Sequence, residues 1–458
     1  MQQYNKIFGT CRIPGLPSDS LIFNSTSRHI TLVINDIFFK LPVYSQDGSI
    51  LGESQLIDEI RNCIREASKF KNAPKVGILT SDNRDNWATA YSELTKNDNN
   101  RKHVEEIQKS LFVVCIDREN PQIQDSVTTG CHQLITGCGS RFNSGNRWYD
   151  KTVQFIIGTS GVTGLTYEHS PAEGQPIAVL TDYIIKYLKE MDSSETPEGG
   201  PQNYERPVML PFQVTPALEE SIKVAAHNID KLAKDLDMNY LHFSDYGKNF
   251  IKTQKFSPDS YIQMAIQYAF YRLHKTPGAH YESAQTRMYV HGRTECIRSC
   301  SNESIAFAKA MCEGRDDKEK VQKLKAAIDS HKKYVNAAIQ GYGVDRHLLG
   351  LKLIAKENNI PMPEIYQDEG YAKSSHMRLS TSQVASVYDA FMCYGPLTND
   401  GYGCCYSPRS NDMWFGLSSF KSNPETSTEA FRKSLQECLI HMQEVLINAG
   451  ETPIKSKL

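Results

Sequence analysis

The stretch that decides the fold runs from Arg147 to Leu188: RWYDKTVQFIIGTSGVTGLTYEHSPAEGQPIAVLTDYIIKYL. Within it Val153–Ile157 is an apolar, β-prone run, and Gly164–Tyr167 reads as the last strand before a loop. From Ile177 to Leu188 the apolar residues take up helical spacing. Strand, loop and helix in this order predict an α/β layer. The loop carries His169 among Pro171 and Gly174, where it can face a cleft. Glu173, four residues on, can hold that loop through a salt bridge. Taken alone, a loop histidine is more often structural or solvated than catalytic.

The same alternation extends in both directions. His29–Ile34 and Phe38–Val43 read as strands joined through Asn35-Asp36, and Leu56, Ile57, Ile60, Ile64 and Ala67 as one helix face. Val76–Leu79 reads as a short strand, Trp87–Leu94 as a helix and Phe112–Ile116 as a strand. Met191–Pro211 is rich in Pro, Gly, Ser and Glu and has no apolar period, so a domain boundary is placed there. Residues 1–205 then form one domain and 206–458 another. The second opens with Thr215 as cap and Pro216 at the first helical position. Ser257-Pro258-Asp259 opens a second helix in the same way. Further helices are expected over Lys318–Ile339, His347–Glu357 and Thr428–Leu446, and a strand over Asp412–Phe420. Two α/β domains follow.

The 458 residues carry 51 Lys plus Arg against 53 Asp plus Glu, a net charge of -2. That balance argues against nucleic-acid binding by bulk electrostatics. No apolar run reaches the ~18 residues of a membrane span. The twelve cysteines form no C-x-x-C pair, so reduced thiols are expected rather than a disulfide frame or zinc site. No metal site is indicated. The N-terminal MQQYNKIFGT has neither a signal-peptide pattern nor an Arg- and Ser-rich leader. The last residues, Ser456-Lys457-Leu458, match the tripeptide read by the peroxisomal import receptor, which predicts a peroxisomal location. A mitochondrial form would need an upstream leader.

Several ordered motifs share one resemblance. They are Arg147-Trp148-Tyr149-Asp150-Lys151, Glu168-His169 with Glu173-Gly174, Tyr240–Asp259, Tyr281–Ser299, Asp345–Leu351, Leu379–Val384 and Asp400–Tyr406. Together they resemble the carnitine/choline acyltransferase family along almost the whole chain. The resemblance implies two chloramphenicol-acetyltransferase-like α/β domains with mixed sheets and an active-site tunnel between them. It implies acyl transfer between CoA, a cosubstrate rather than a tightly bound cofactor, and a small alcohol, and it suggests a monomer. His169 matches the general base, which moves the proton with no acyl-enzyme. Glu173 matches a structural support, ion-paired with Arg293 or Arg298. Ser382 matches the oxyanion donor and Ser380 an acceptor contact. Lys248, Lys252, Lys255, Ser257 and Asp259 match the CoA-binding stretch. Lys332, where relatives can carry Arg, and Gln383 match further CoA contacts.

The acceptor follows from the same comparison. Carnitine differs from choline by a carboxylate, so its enzymes need a cation and hydroxyl donors there. The family places them at positions matched by Arg346, Thr294 and Tyr281, with Ser283 beside them. Carnitine is therefore expected and choline is the alternative. Met392 stands where short-chain members carry a bulky residue, which predicts acetyl transfer. Two departures stand out. Thr136-Gly137-Cys138-Gly139 replaces a His-Gly-Gly-Gly run, and Met1–Gly15 matches an internal segment of the family pattern. The first domain is thus expected to be N-terminally truncated, with core surface exposed. A non-catalytic CoA-binding protein is the reading of another class.

Overall fold

The computed structural model describes residues 3–191, 199–383, 386–388, 390 and 392–450. Ser456-Lys457-Leu458 lies outside the described residues. The chain divides into two compact units, Met1–Lys234 and Asp235–Leu458.

The strands of the first unit are β1 (Thr10–Ile13), β2 (Ser20–Phe23), β3 (His29–Ile34), β4 (Ile37–Pro42), β5 (Val113–Asp117), β6 (Val153–Gly158), β7 (Thr163–Tyr167) and β8 (Val208–Met209). Six of them form a sheet in the order β7-β6-β5-β3-β4-β8, while β1 and β2 pair separately. The β3–β5 and β5–β6 pairings are parallel and the rest antiparallel, so the sheet is mixed. β3 is buried along its whole length, because both faces are covered. Leu32, Ile34 and Phe39 pack on Cys63 and Ala67 of the Glu53–Ala67 helix. Val33 and Phe38 pack with Trp87, Trp148, Val104 and Ile107. Asn35 and Asp36 join β3 to β4 with φ of 53° and 65°, the left-handed pair that a two-residue hairpin turn needs.

Two expectations are corrected here. Val76–Leu79 is a 3₁₀ turn, within Val76–Ser81, and not a strand. Gly77 lies so close to the carbonyls of Gly145 and Arg147 that a Cβ there would clash, and among the described residues no strand pairs with the segment. The domain division falls at Lys234–Asp235 and not at 205/206. The helix Pro216–Asp235 inserts Leu218, Ala225 and Ile229 into the first unit's core, so it belongs with that unit.

The second unit contains β9 (Leu236–Phe243), β10 (His280–Gln285), β11 (Thr294–Arg298), β12 (Leu379–Gln383), β13 (Tyr402–Pro408) and β14 (Met413–Phe420). Their order is β11-β10-β12-β13-β14-β9, with β10–β12 and β12–β13 parallel. The Pro258–His274 helix is buried from Ser260 to Phe270 and forms the centre of the core. Ser257 caps it, its Oγ accepting from the Ser260 N–H at 3.4 Å, and Pro258 occupies the first turn.

Candidate active site

In the first unit, β7 ends at Tyr167 and the loop 168–173 leads into the Gly174–Glu190 helix. The loop is tied at its start. The Glu168 N–H donates to the Thr152 carbonyl at 2.9 Å. The Glu168 carboxylate accepts from the Ser170 N–H (3.0 Å), the Ser170 hydroxyl (2.8 Å) and Arg12 (3.2 Å). His169 stands out from this anchored turn with 58% of its side chain exposed. Its Nε2 lies 4.0 Å from the Glu173 carboxylate, and its ring leans on Tyr167 at 5.2 Å. Glu173 thus faces His169 itself. In the other unit, Arg298 binds Asp345 through bonds of 3.0 and 2.7 Å.

The motif Arg147–Lys151 braces the interior beneath this loop. Arg147 and Asp117 are both fully buried and form a bidentate pair at 2.6 and 2.7 Å. Asp150 accepts from the Trp87 indole at 2.7 Å and from Arg84 at 2.6 and 3.3 Å. Lys151 is fully buried and donates to the Gln108 carbonyl at 2.8 Å. Burial pushes its pKa down to about 8. The nearby turn runs Gly137, Cys138, Gly139 with φ of 64°, 61° and 100°. Cys138 is the residue there that carries a side chain in a left-handed conformation.

In the second unit, alternation along β12 separates two roles. Thr381 points inward and is fully buried. Ser380 and Ser382 share the opposite face, with Ser382 half-buried and Gln383 exposed at the strand end. Register puts Tyr281 beside Ser380 and carries the same face on through Ser283 to Thr294. Helix Asp345–Glu357 is pinned at its start by the Arg298–Asp345 pair and by the Arg346 N–H on Glu295. This lays Arg346 over β11. Its Nε donates to the Thr294 carbonyl at 3.0 Å and its Nη2 to the Thr294 hydroxyl at 3.4 Å. Burial pushes the Tyr281 phenol up, and Arg346 and Thr294, both against it, act the other way. The structure therefore brings Tyr281, Thr294 and Arg346 together, on the sheet face of Ser380, Ser382 and Ser283. Met392 is half-buried in the segment between β12 and β13.

Lys248 and Lys252 are one turn apart on the short Lys248–Thr253 helix, and Lys255 follows with φ of 62°. Lys252 and Lys255 are exposed, and none of the three pairs with a carboxylate among the described residues. Lys332 is also exposed, on the Asp317–Ile339 helix. Asp259 is turned inward, where it accepts from the Tyr406 hydroxyl at 2.6 Å. Its carboxylate, that of Glu282 and the His331 imidazole lie within 4.8 Å of one another. Glu282 accepts from His331 at 2.7 Å and from Ser299 at 2.8 Å. Burial and the Glu282 charge raise the Asp259 pKa. Burial opposes charge on His331, but Glu282 and Asp259 outweigh it and raise that pKa. Glu282 and His331 escaped the sequence reading. The available signal was period two in Tyr281-Glu282-Ser283, which puts an acidic group on the core face, where it needs a partner.

The family described as choline/carnitine O-acyltransferase matches residues 1–437. Carnitine O-acetyltransferase of Columba livia is 42% identical over 465 residues, covering 100% of this chain and 73% of that protein. The Homo sapiens carnitine O-acetyltransferase is 42% identical over 97% of this chain and 72% of its own. Choline O-acetyltransferase of Danio rerio is 38% identical over 97% of this chain and 71% of its own. Among solved structures, a chloramphenicol acetyltransferase aligns with a TM-score of 0.24 at 8% identity, over 45% of this chain and 88% of that one. The epimerization domain from the third module of tyrocidine synthetase B aligns with a TM-score of 0.37 at 8% identity, over 76% and 82%.

Proposed function

The chain belongs to the choline/carnitine O-acyltransferase family, and is thereby an acyltransferase; from that premise we propose that it transfers an acetyl group reversibly between CoA and the hydroxyl of carnitine. The observation that carries the choice of acceptor is the Tyr281–Thr294–Arg346 cluster. A guanidinium over two hydroxyls is a receptor for a carboxylate. Choline has no carboxylate to offer it. The higher identity to carnitine than to choline relatives supports the same reading.

In the proposed reaction His169 takes the proton from the acceptor hydroxyl as that oxygen attacks the thioester carbonyl. Ser382 donates to the tetrahedral oxyanion. Collapse of the intermediate breaks the carbon–sulfur bond, and the thiolate leaves with the proton from His169. The acetyl group passes directly, with no acyl-enzyme. Glu173, 4.0 Å from His169, supports the loop that carries it. Lys248, Lys252 and Lys255 supply positive charge for the CoA phosphates, and Met392 limits the acyl chain to acetyl. The C-terminal Ser-Lys-Leu directs the protein to peroxisomes, which a fluorescent fusion with and without the tripeptide tests.

The deciding experiment supplies acetyl-CoA with carnitine or choline and follows free-thiol release. Carnitine is expected to be the faster acceptor. Faster turnover with choline overturns the Arg346 reading, and CoA binding without turnover favours the non-catalytic alternative.

A further inference from the structure

Thr381 sits between Ser380 and Ser382, and its hydroxyl is saturated on the inner face of the sheet. It donates to the Tyr281 carbonyl at 3.0 Å. Having given away its one proton, it accepts from the Gln263 amide at 3.1 Å and from His280 Nε2 at 3.1 Å. Those three bonds use its full capacity, so Thr381 has nothing to offer a substrate. The Gln263 NH₂ has a second hydrogen, and Tyr406 Oη accepts it at 2.8 Å. The Tyr406 hydroxyl in turn donates to Asp259 at 2.6 Å. The Gln263 amide thus turns its nitrogen toward Thr381 and Tyr406, and its Oε1 lies 3.5 Å from the Thr381 hydroxyl. Gln263 and Thr381 are both fully buried. The run therefore crosses dry core, where a missing partner is costly.

Gln263 lies on the second turn of the helix whose first turn carries Ser257 and Asp259. We propose that Gln263 is a positioning residue: its amide ties the middle of β12 to the Asp259 end of the CoA-binding stretch, and so sets where Ser382 stands. The proposal rests on the acetyl-transfer reading above. Ser382 lies on the far face of the strand from Gln263, so the glutamine acts on it through the backbone of residues 381 and 382. Displacement of a donor by about 1 Å can lower turnover on the order of 100-fold.

A cycle between Gln263→Met and Ser382→Ala, read as kcat for acetyl transfer to carnitine, tests it. Ser382→Ala alone is expected to lower kcat about 100-fold. Gln263→Met, which keeps length and volume but removes the amide, is expected to lower it about 10-fold in the Ser382 protein. In the Ser382→Ala background the same change is expected to cost less than about twofold, because the donor it positions is gone. Equal losses in both backgrounds overturn the proposal, since a general weakening of the fold acts alike on both. Tyr406→Phe removes a single hydroxyl from the same run and repeats the test should Gln263→Met fail to fold. Absence of transfer by the unaltered chain to either acceptor overturns the functional reading and this proposal with it. Transfer by the unaltered chain, with a multiplicative cycle, overturns the positioning role alone.

Discussion

Lys151 gives the most quantitative handle on the scaffold under His169. Its ammonium is fully buried and holds one hydrogen bond, to the Gln108 carbonyl. Burial takes its pKa from the ordinary 10.5 to about 8. At about 1.36 kcal/mol for each pH unit, the charged form is disfavoured in the fold by about 3 kcal/mol. The sign follows from proton counting. Between about pH 8 and 10.5 the unfolded chain binds the proton and the folded chain does not, so folding strengthens as pH rises through that window. Lys151→Met keeps the volume and removes the titration, at the cost of a carbonyl left without its donor, about 1–3 kcal/mol. At pH 7 the two effects oppose and the variant should lie close to the parent. By pH 9.5 the parent has regained about 2 kcal/mol and the variant has not. Urea unfolding of both proteins at pH 7 and 9.5 measures this, since groups common to both cancel in the difference. A stability difference that stays constant between the two pH values refutes the reasoning.

Three further outcomes are expected. Arg346→Gln should raise KM for carnitine on the order of 100-fold, through loss of a charge-assisted pair, and leave choline turnover within about twofold; equal losses with both acceptors would remove Arg346 from carboxylate recognition. Met392→Gly should raise activity with octanoyl-CoA relative to acetyl-CoA, and no gain would sink the pocket argument. Cys138→Gly should raise stability by up to about 1 kcal/mol by relieving a side chain at φ 61°, which a thermal melt reads directly; a lower melting temperature would mean that contacts of the thiol outweigh the strain.

What could be read in advance follows the range of the forces involved. β3 matches its sequence span, His29–Ile34, because an unbroken apolar run and a two-residue turn are local signals. The Ser257 cap was legible for the same reason. The 76–79 segment looked like a strand because its apolar residues are buried, but burial under a turn and burial in a sheet leave the same short pattern. The amphipathic face of residues 216–235 was visible, whereas the core it enters depends on tertiary packing. The Tyr281–Thr294–Arg346 cluster was named only through its resemblance to family motifs. Tyr281, Thr294 and Arg346 meet through the β10–β11 register and the ion pair that starts the next helix, and neither is encoded in a neighbouring residue.

The two units solve one problem in the same manner. In the first, Arg147, Trp148, Asp150 and Lys151 are all interior, and His169 stands well into solvent. In the second, Thr381 faces the core and Ser380 on the opposite face is buried too, while Ser382 is half-buried. The residues that most strongly mark the sequence are therefore largely those that hold the scaffold through buried hydrogen bonds. A chain that had ceased to turn over would still need Arg147 to fold, because an orphaned charge at Asp117 costs several kcal/mol. Retention of the motifs thus speaks for the fold. The distinction between an acetyltransferase and a CoA-binding relative rests on the few side chains that face outward, His169, Ser382 and Arg346, and on whether they act on one substrate.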